Sequence, residues 1–286
     1  MNYALNKVVG IGEALWDIFP QGRQLGGAPA NFAYHVSQFG FQGTIVSAVG
    51  NDALGKDVIE QIESHCIASH IAIVDYSTGV VSVTLNHKGI PKYEIVENAA
   101  WDNIPFDDEM QALASQTVAV CFGTLAQRNP ISRKTIRRFI DSLSATCLKV
   151  FDINLRQHYY DREIIEWSLM HCNILKLNED ELIEMKGLYG AKSLNDDAFC
   201  MKLQQLFNLK VVILTRGENG SCVYYENEMN FEPTPTVKVV DTVGAGDAFT
   251  AAFIATLLQG KTIIEAHRQA VETATITCTQ KGGAFF

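Results

Sequence analysis

Seven short apolar runs punctuate this chain: Lys7–Ile11, Thr44–Val49, Thr117–Phe122, Leu148–Ile153, Asn173–Leu177, Val211–Thr215 and Ser221–Tyr225. Each is nearly continuous in apolar residues, as expected of strands buried on both faces. Helical patterns lie between them. Ala30, Ala33, Val36 and Phe39 fall near helical spacing, and so do Ile136, Phe139, Ile140 and Leu143. Alternation of this kind predicts an α/β fold, a mostly parallel sheet with helices on both sides. The chain has 286 residues, 47% of them hydrophobic, which allows a sizeable core and excludes a disordered chain.

The charge balance narrows the partners. The chain carries 23 Lys+Arg against 32 Asp+Glu, a net charge of −9. Nucleic acid and anionic membranes attract clustered Lys and Arg, so neither is expected. The longest apolar stretch, Phe249 to Leu258, is too short to span a membrane. The seven cysteines are scattered, the closest pair being 22 positions apart, so no CxxC pair exists. An odd, dispersed set reads as reduced thiols in a cytosol. Met1 to Lys7 shows no basic-then-apolar signal pattern, and a cytoplasmic protein is expected.

One segment departs from the alternation. Ile71 to Val96 reads as strands and turns without a helix, with Val81, Val83 and Leu85 alternating with Ser82 and Thr84 and a turn at His87-Lys88-Gly89. A small antiparallel flap is predicted. It is either a peripheral hairpin or a lid that excludes water from a ligand.

Two glycine-rich motifs carry the chemistry. Asp241-Thr-Val-Gly-Ala-Gly-Asp247 precedes an apolar helical stretch. Its bare backbone N–H groups would sit at a helix N-terminus, which is an anion site by geometry. Asp247 would lie in the first turn. It either stabilises the helix or takes a proton from a hydroxyl that attacks a bound phosphate. The second motif is Gly26-Gly-Ala-Pro-Ala-Asn31-Phe-Ala33. Gly26 and Gly27 allow close approach to the backbone, Pro29 suits a first helical turn, and Asn31 is polar among apolar neighbours. Upstream, Gly12-Glu13-Ala-Leu-Trp-Asp17 ends the first strand with two carboxylates. Asp17 is either a turn residue or an acceptor for two polyol hydroxyls. Polar residues also follow later strands: Asp152, Asn154 and Arg156; Asn178 to Glu181; Thr215 to Gly220. Ligands of parallel sheets bind at these strand ends, although each cluster alone is also ordinary capping chemistry. No GxxxxGK[ST], GxSxG or HExxH occurs, no GxGxxG follows a strand, and the seven histidines form no metal-ligand spacing.

These residues resemble the PfkB carbohydrate kinases, the ribokinase-like family. DTVGAGD with its apolar tail resembles the family's C-terminal signature. GGAPANFA, with Gly40 and Gly50 beyond it, resembles the N-terminal one, about 200 residues away as in the family. GEALWDIFP and FDINLR further resemble the fructokinase branch. The resemblance implies a single three-layer α/β/α domain over 1–286, with a small β lid from about 12–20 and 71–100. It implies ATP-dependent transfer to a sugar hydroxyl. By its motifs Asp247 would be the base, and the amides of Gly244, Ala245 and Gly246 the anion hole. Asn178 and Glu181 match the NxxE motif that places Mg²⁺ and its waters. Thr215, Gly217 and Gly220 match the nucleotide loop. Asp17, Gly27 and Asn31 match sugar-binding positions, and Arg156 a substrate or phosphate contact. Asp241 and the Val243 carbonyl match two positions of a site where many relatives bind a monovalent cation, with K⁺ the candidate here and the segment Cys278 to Ala284 its expected other half.

Sugar phosphates and sugar acids need cations, usually an Arg fork. The lid stretch Tyr93 to Ala100 carries two Glu and no Arg, and the Asp17 loop has only Arg23. A neutral sugar is therefore expected, with fructose first by branch resemblance and ribose or a nucleoside as the alternative. A catalytically silent sugar sensor is the alternative of another class. Such a chain would be expected to lose Asp247 or a glycine of the anion hole, and this one keeps them. Lid strands of the family often pair between subunits, so a dimer is plausible, with Gly79–Leu85 as the candidate edge.

Overall fold

The computed structural model of the chain describes residues 6–19, 22–85, 91–280 and 282–284. The described strands of the large sheet run in the order β13 (Glu228–Glu232), β12 (Ser221–Tyr225), β11 (Val211–Thr215), β10 (Ile174–Asn178), β9 (Leu148–Asp152), β8 (Thr117–Phe122), β1 (Lys7–Ile11), β4 (Gln42–Gly50) and β5 (Ala68–Val74). Pairing is parallel from β5 to β11, and only β12 and β13 join antiparallel. All seven predicted runs are strands.

Side chains alternate between two cores. Val120, Phe122, Phe151, Leu175 and Leu214 enter one, and Ala119, Cys121, Val150, Ile174 and Ile213 enter the other. Both faces need apolar cover, which is why the runs are continuous rather than alternating. The first face is covered by α3 (Asp108–Gln116), α4 (Pro130–Asp141), α5 (Arg162–His171), α6 (Glu179–Leu188) and α7 (Asp196–Leu206). The second is covered by α1 (Ala28–Ser37), α8 (Ala245–Leu258) and α9 (Ile263–Thr277). Helix α2 (Ala53–Ser64) packs with α1 and β4 in a third cluster through Val58 and Ile62. Helix α8 is apolar all round because it is enclosed, with Ala248 to Thr256 buried.

A second, four-stranded sheet has the order β3 (Gly22–Gly26), β2 (Leu15–Phe19), β6 (Gly79–Leu85) and β7 (Pro91–Ile95). Three details differ from expectation. Residues 71–74 belong to β5 of the large sheet, because the parallel register of β4 captures them. The small sheet is mixed, since β2 and β6 pair parallel. And β6 is an inner strand, paired on both sides, so its backbone groups are spent and the open edges are β3 and β7. The expected turn at His87-Lys88-Gly89 lies outside the described residues.

The junction below the small sheet is pinned by charge. Arg128 makes a bidentate pair with Asp102 at 2.8 and 2.7 Å, donates to the Val96 carbonyl at 2.6 Å, and lies over the Trp101 and Tyr159 rings. Among the described residues no helix is long and apolar enough to cross a membrane.

Candidate active site

The strand ends and one helix end converge. The polar residues after β1, β9, β10 and β11 lie at the carboxyl ends of those strands, and the N-terminus of α8 points into the same region. Gly244 caps α8 at φ +74°, a conformation open to glycine, and an added Cβ would strike the backbone of Gly283. With no side chain capping the helix, the N–H groups of Gly244, Gly246 and Asp247 meet no acceptor among the described residues, whereas that of Ala245 donates to the Thr242 carbonyl at 3.3 Å. Three of these amides can therefore receive an anion.

Asp247 stands in the first turn of α8, and Asn31 stands inside α1. The Asn31 Nδ2 donates to Asp247 Oδ2 at 2.8 Å. The Asn31 Oδ1 is buried and has no partner among the described residues. Burial pushes the Asp247 carboxyl up to about 6, aided by the charge of Asp152, while Asn31, Lys176 and Arg156 restrain it. A carboxylate of this kind accepts a proton near neutral pH more readily than an exposed aspartate.

Glu13, Asp152, Asn154 and Asp247 border one enclosed space of only about 10 Å³, room for about one water, so they form a floor. Glu13 is 5% exposed. Burial raises the Glu13 carboxyl to about 7. Gly27 itself sits at φ +112° with the Glu13 carbonyl where a Cβ would be. Asp17 lies on β2 opposite Gln24 of β3, not in a turn, and burial raises it to about 6. Arg156 is exposed, forms no ion pair among the described residues, and its charge acts on Glu13, Asp17, Asp247 and Glu181. Asn154 and Gln157 on either side of it have positive φ, 46° and 50°.

A second, open cleft of about 370 Å³ adjoins this floor, lined by Arg156, Tyr160, Asn178, Asp180, Glu181 and Glu184 among others. Asn178 caps α6 by accepting from the Glu181 N–H at 2.9 Å, and Glu181 returns the contact to the Asn178 N–H at 2.8 Å. The other Glu181 oxygen accepts from the Leu155 N–H at 3.1 Å, tying the loop after β9 to α6. Both carboxylate oxygens thus accept a backbone N–H, which fixes the Glu181 side chain at the start of α6. On the next strand Thr215 pairs with Asn178 across the ladder. Gly217 and Gly220 have φ of +52° and +91°, and the Arg216 N–H closes their loop on the Gly220 carbonyl at 2.9 Å.

Asp241 does not border this floor. Its Oδ1 accepts from the Val243 N–H at 3.0 Å and its Oδ2 from the Gly282 N–H at 3.1 Å. The Cys278 carbonyl accepts from Val240 and Asp241. The C-terminal segment therefore packs on the Asp241 loop, but no cluster of three or more His, Cys, Asp or Glu suited to a metal exists among the described residues.

Sequence reasoning passed over Lys176. It is buried in β10, paired with Asp152 at 3.0 Å, and lies against Gly246. The signal was present: a charge in the middle of the apolar run Ile174–Asn178.

The chain is similar to several known proteins. The chain is 33% identical over 251 residues to an ATP-dependent 6-phosphofructokinase of Thermoanaerobacterium thermosaccharolyticum, covering 84% of this chain and 74% of the relative. It is 28% identical to a fructokinase of Salmonella typhimurium, covering 88% and 84%. A crystal structure of a Pyrococcus horikoshii sugar kinase superposes with a TM-score of 0.84 at 24% identity, covering 97% of this chain and 93% of that one. A Xylella fastidiosa fructokinase with bound ATP superposes with a TM-score of 0.85 at 20% identity, covering 98% and 94%. The model of the pfkB family carbohydrate kinases matches residues 17–286. The chain belongs to the pfkB family of carbohydrate kinases, phosphotransferases whose acceptor is a sugar hydroxyl.

Proposed function

We propose that this enzyme transfers the γ-phosphoryl group of ATP to a primary hydroxyl of a neutral sugar, D-fructose foremost, to give fructose 6-phosphate. The observation that carries this reading is the pairing of Asn31 with Asp247. One half of the Asn31 amide orients the carboxylate and the other half is a buried acceptor without a partner. A sugar hydroxyl donating to Asn31 Oδ1 would bring a second hydroxyl of the same sugar, the acceptor, beside Asp247. As that hydroxyl oxygen bonds to the γ-phosphorus and the bond to the leaving ADP oxygen breaks, its proton passes to Asp247. The amides of Gly244 and Gly246 would receive the phosphoryl oxygens, with Ala245 a weaker donor. Asp17, Gly27 and Arg156 would hold the sugar. Asn178, Glu181, Thr215, Gly217 and Gly220 would border the nucleotide, with a hydrated Mg²⁺ near Glu181 to neutralise phosphate charge. The Asp241 and Val243 loop is the candidate for a monovalent cation.

The charge of the floor favours an uncharged acceptor. Glu13, Asp152 and Asp247 border it, and Arg23 is committed to an ion pair with Asp57 and to the Trp16 ring. Fructose 6-phosphate is the second reading, favoured by the relative named a 6-phosphofructokinase, and Arg156 is the cation that would read its phosphate. A coupled assay of ADP release against fructose, ribose, a nucleoside panel and fructose 6-phosphate separates these. Release with fructose alone supports the first reading, and release only with fructose 6-phosphate replaces it. Sugar binding without ADP release would mark a silent sensor. We place the protein in the cytoplasm, in keeping with seven free cysteines of which five are buried. A homodimer would form through the open edges β3 or β7 of the small sheet.

A further inference from the structure

Lys176 is an unusual residue to bury. Its side chain is 9% exposed, and Asp152 beside it is 6% exposed. Both Asp152 oxygens are occupied, Oδ1 by Lys176 at 3.0 Å and Oδ2 by the Thr250 hydroxyl at 3.1 Å. Lys176 is not satisfied in the same way: an ammonium has three N–H groups, and Asp152 is its one hydrogen-bond partner among the described residues. Burial disfavours its charge, but Asp152, Glu181 and Asp247 outweigh that, so it stays protonated. The ammonium also has a definite address. Nζ lies 2.9 Å from where a Cβ on Gly246 would be, beside one of the free amides at the α8 N-terminus. A buried cation with unused donors next to an anion-receiving turn is complete only when an anion arrives.

We propose that Lys176 contacts the transferred phosphoryl group through the N–H groups that Asp152 leaves free, and is a catalytic residue of this site; the inference rests on the phosphotransfer reading above. Asp152 and Thr250 hold the ammonium at Gly246. As charge builds on the phosphoryl oxygens, Lys176 stabilises it more than it stabilises ground-state ATP.

The competing account is that Lys176 only neutralises Asp152. A double-mutant cycle with Lys176→Met and Asp152→Asn separates the two, and the double variant keeps a neutral pair should the single Lys176 variant fail to fold. A phosphoryl contact predicts kcat of the double variant about 10²- to 10³-fold below that of Asp152→Asn alone, the size of losing one transition-state donor. Calorimetry with AMP-PNP and ADP supplies a readout apart from turnover. The double variant should lose about tenfold in AMP-PNP affinity relative to Asp152→Asn, with ADP changed less than about twofold, since only the former carries a γ-phosphate. Equal turnover in the double variant and Asp152→Asn, or equal loss of both nucleotides, would overturn the proposal. Should the wild-type protein bind AMP-PNP yet release no ADP with any sugar, the phosphotransfer reading falls, and the nucleotide comparison alone decides Lys176.

Discussion

Asn31 and Asp247 are 216 residues apart in sequence and share a hydrogen bond of 2.8 Å. The contact joins the first turns of α1 and α8, the helices that follow the two glycine-rich motifs. It brings an oriented carboxylate, a free amide oxygen and three unpaired backbone N–H groups to one place.

If Asp247 is the proton acceptor, Asp247→Asn should lower kcat by about 10²- to 10⁴-fold. The amide is isosteric and keeps a partner in Asn31, so the fold and sugar affinity should change little. Steady-state kinetics with calorimetric sugar binding checks this. Near-full turnover would remove Asp247 from the mechanism.

The same pair sets the pH dependence. Asp247 must be ionised to accept a proton, and its carboxyl is raised to about 6. The rate should therefore fall about tenfold per pH unit on the acid side of that value. Asn31 holds the carboxyl down, so Asn31→Leu should move the acid limb to higher pH. A limb that stays in place would show that the contact does not tune the base.

Glu13 should cost stability at alkaline pH. Its folded carboxyl is raised to about 7, so the folded chain binds the proton more tightly than the unfolded chain. The penalty is absent below the unfolded value, grows between about pH 4.5 and 7, and is complete above. Glu13→Gln removes it. Relative to wild type, this variant should gain on the order of 3 kcal/mol between pH 4.5 and pH 8. Urea titrations at both pH values test this, and a pH-independent difference would refute it.

Gly244→Ala should disable the anion turn. At φ +74° alanine is strained, and its Cβ would meet the Gly283 backbone. A loss of about 1–3 kcal/mol in stability is expected from the backbone alone. ATP affinity should fall further than that of Gly190→Ala, where φ is +61° and nothing lies within 4 Å.

Arg128 and Asp102 should matter for folding more than for chemistry. Both side chains are buried, at 7% and 1% exposure. Asp102→Ala would leave a buried guanidinium uncompensated, at a cost of about 3–5 kcal/mol. Thermal melts with and without sugar should show the loss in both states.

The seven large-sheet runs were legible in the sequence because strands covered on both faces need continuous apolar residues, a local property. The turns at Gly27 and Gly244 were legible because their conformations admit little but glycine. By contrast, β5 was hidden, since Ala68–Val74 mixes polar and apolar residues and only the register of β4 assigns it to the large sheet. The inner position of β6 and the burial of Glu13 came from the assembled fold too. Lys176 shows the difference most plainly. Its charge in an apolar run is visible to any reader of the sequence, but its meaning depends on Asp152, Thr250 and Gly246. Those residues lie on β9 and α8, and spacing along a chain carries no information about which distant atoms packing will place within hydrogen-bond reach.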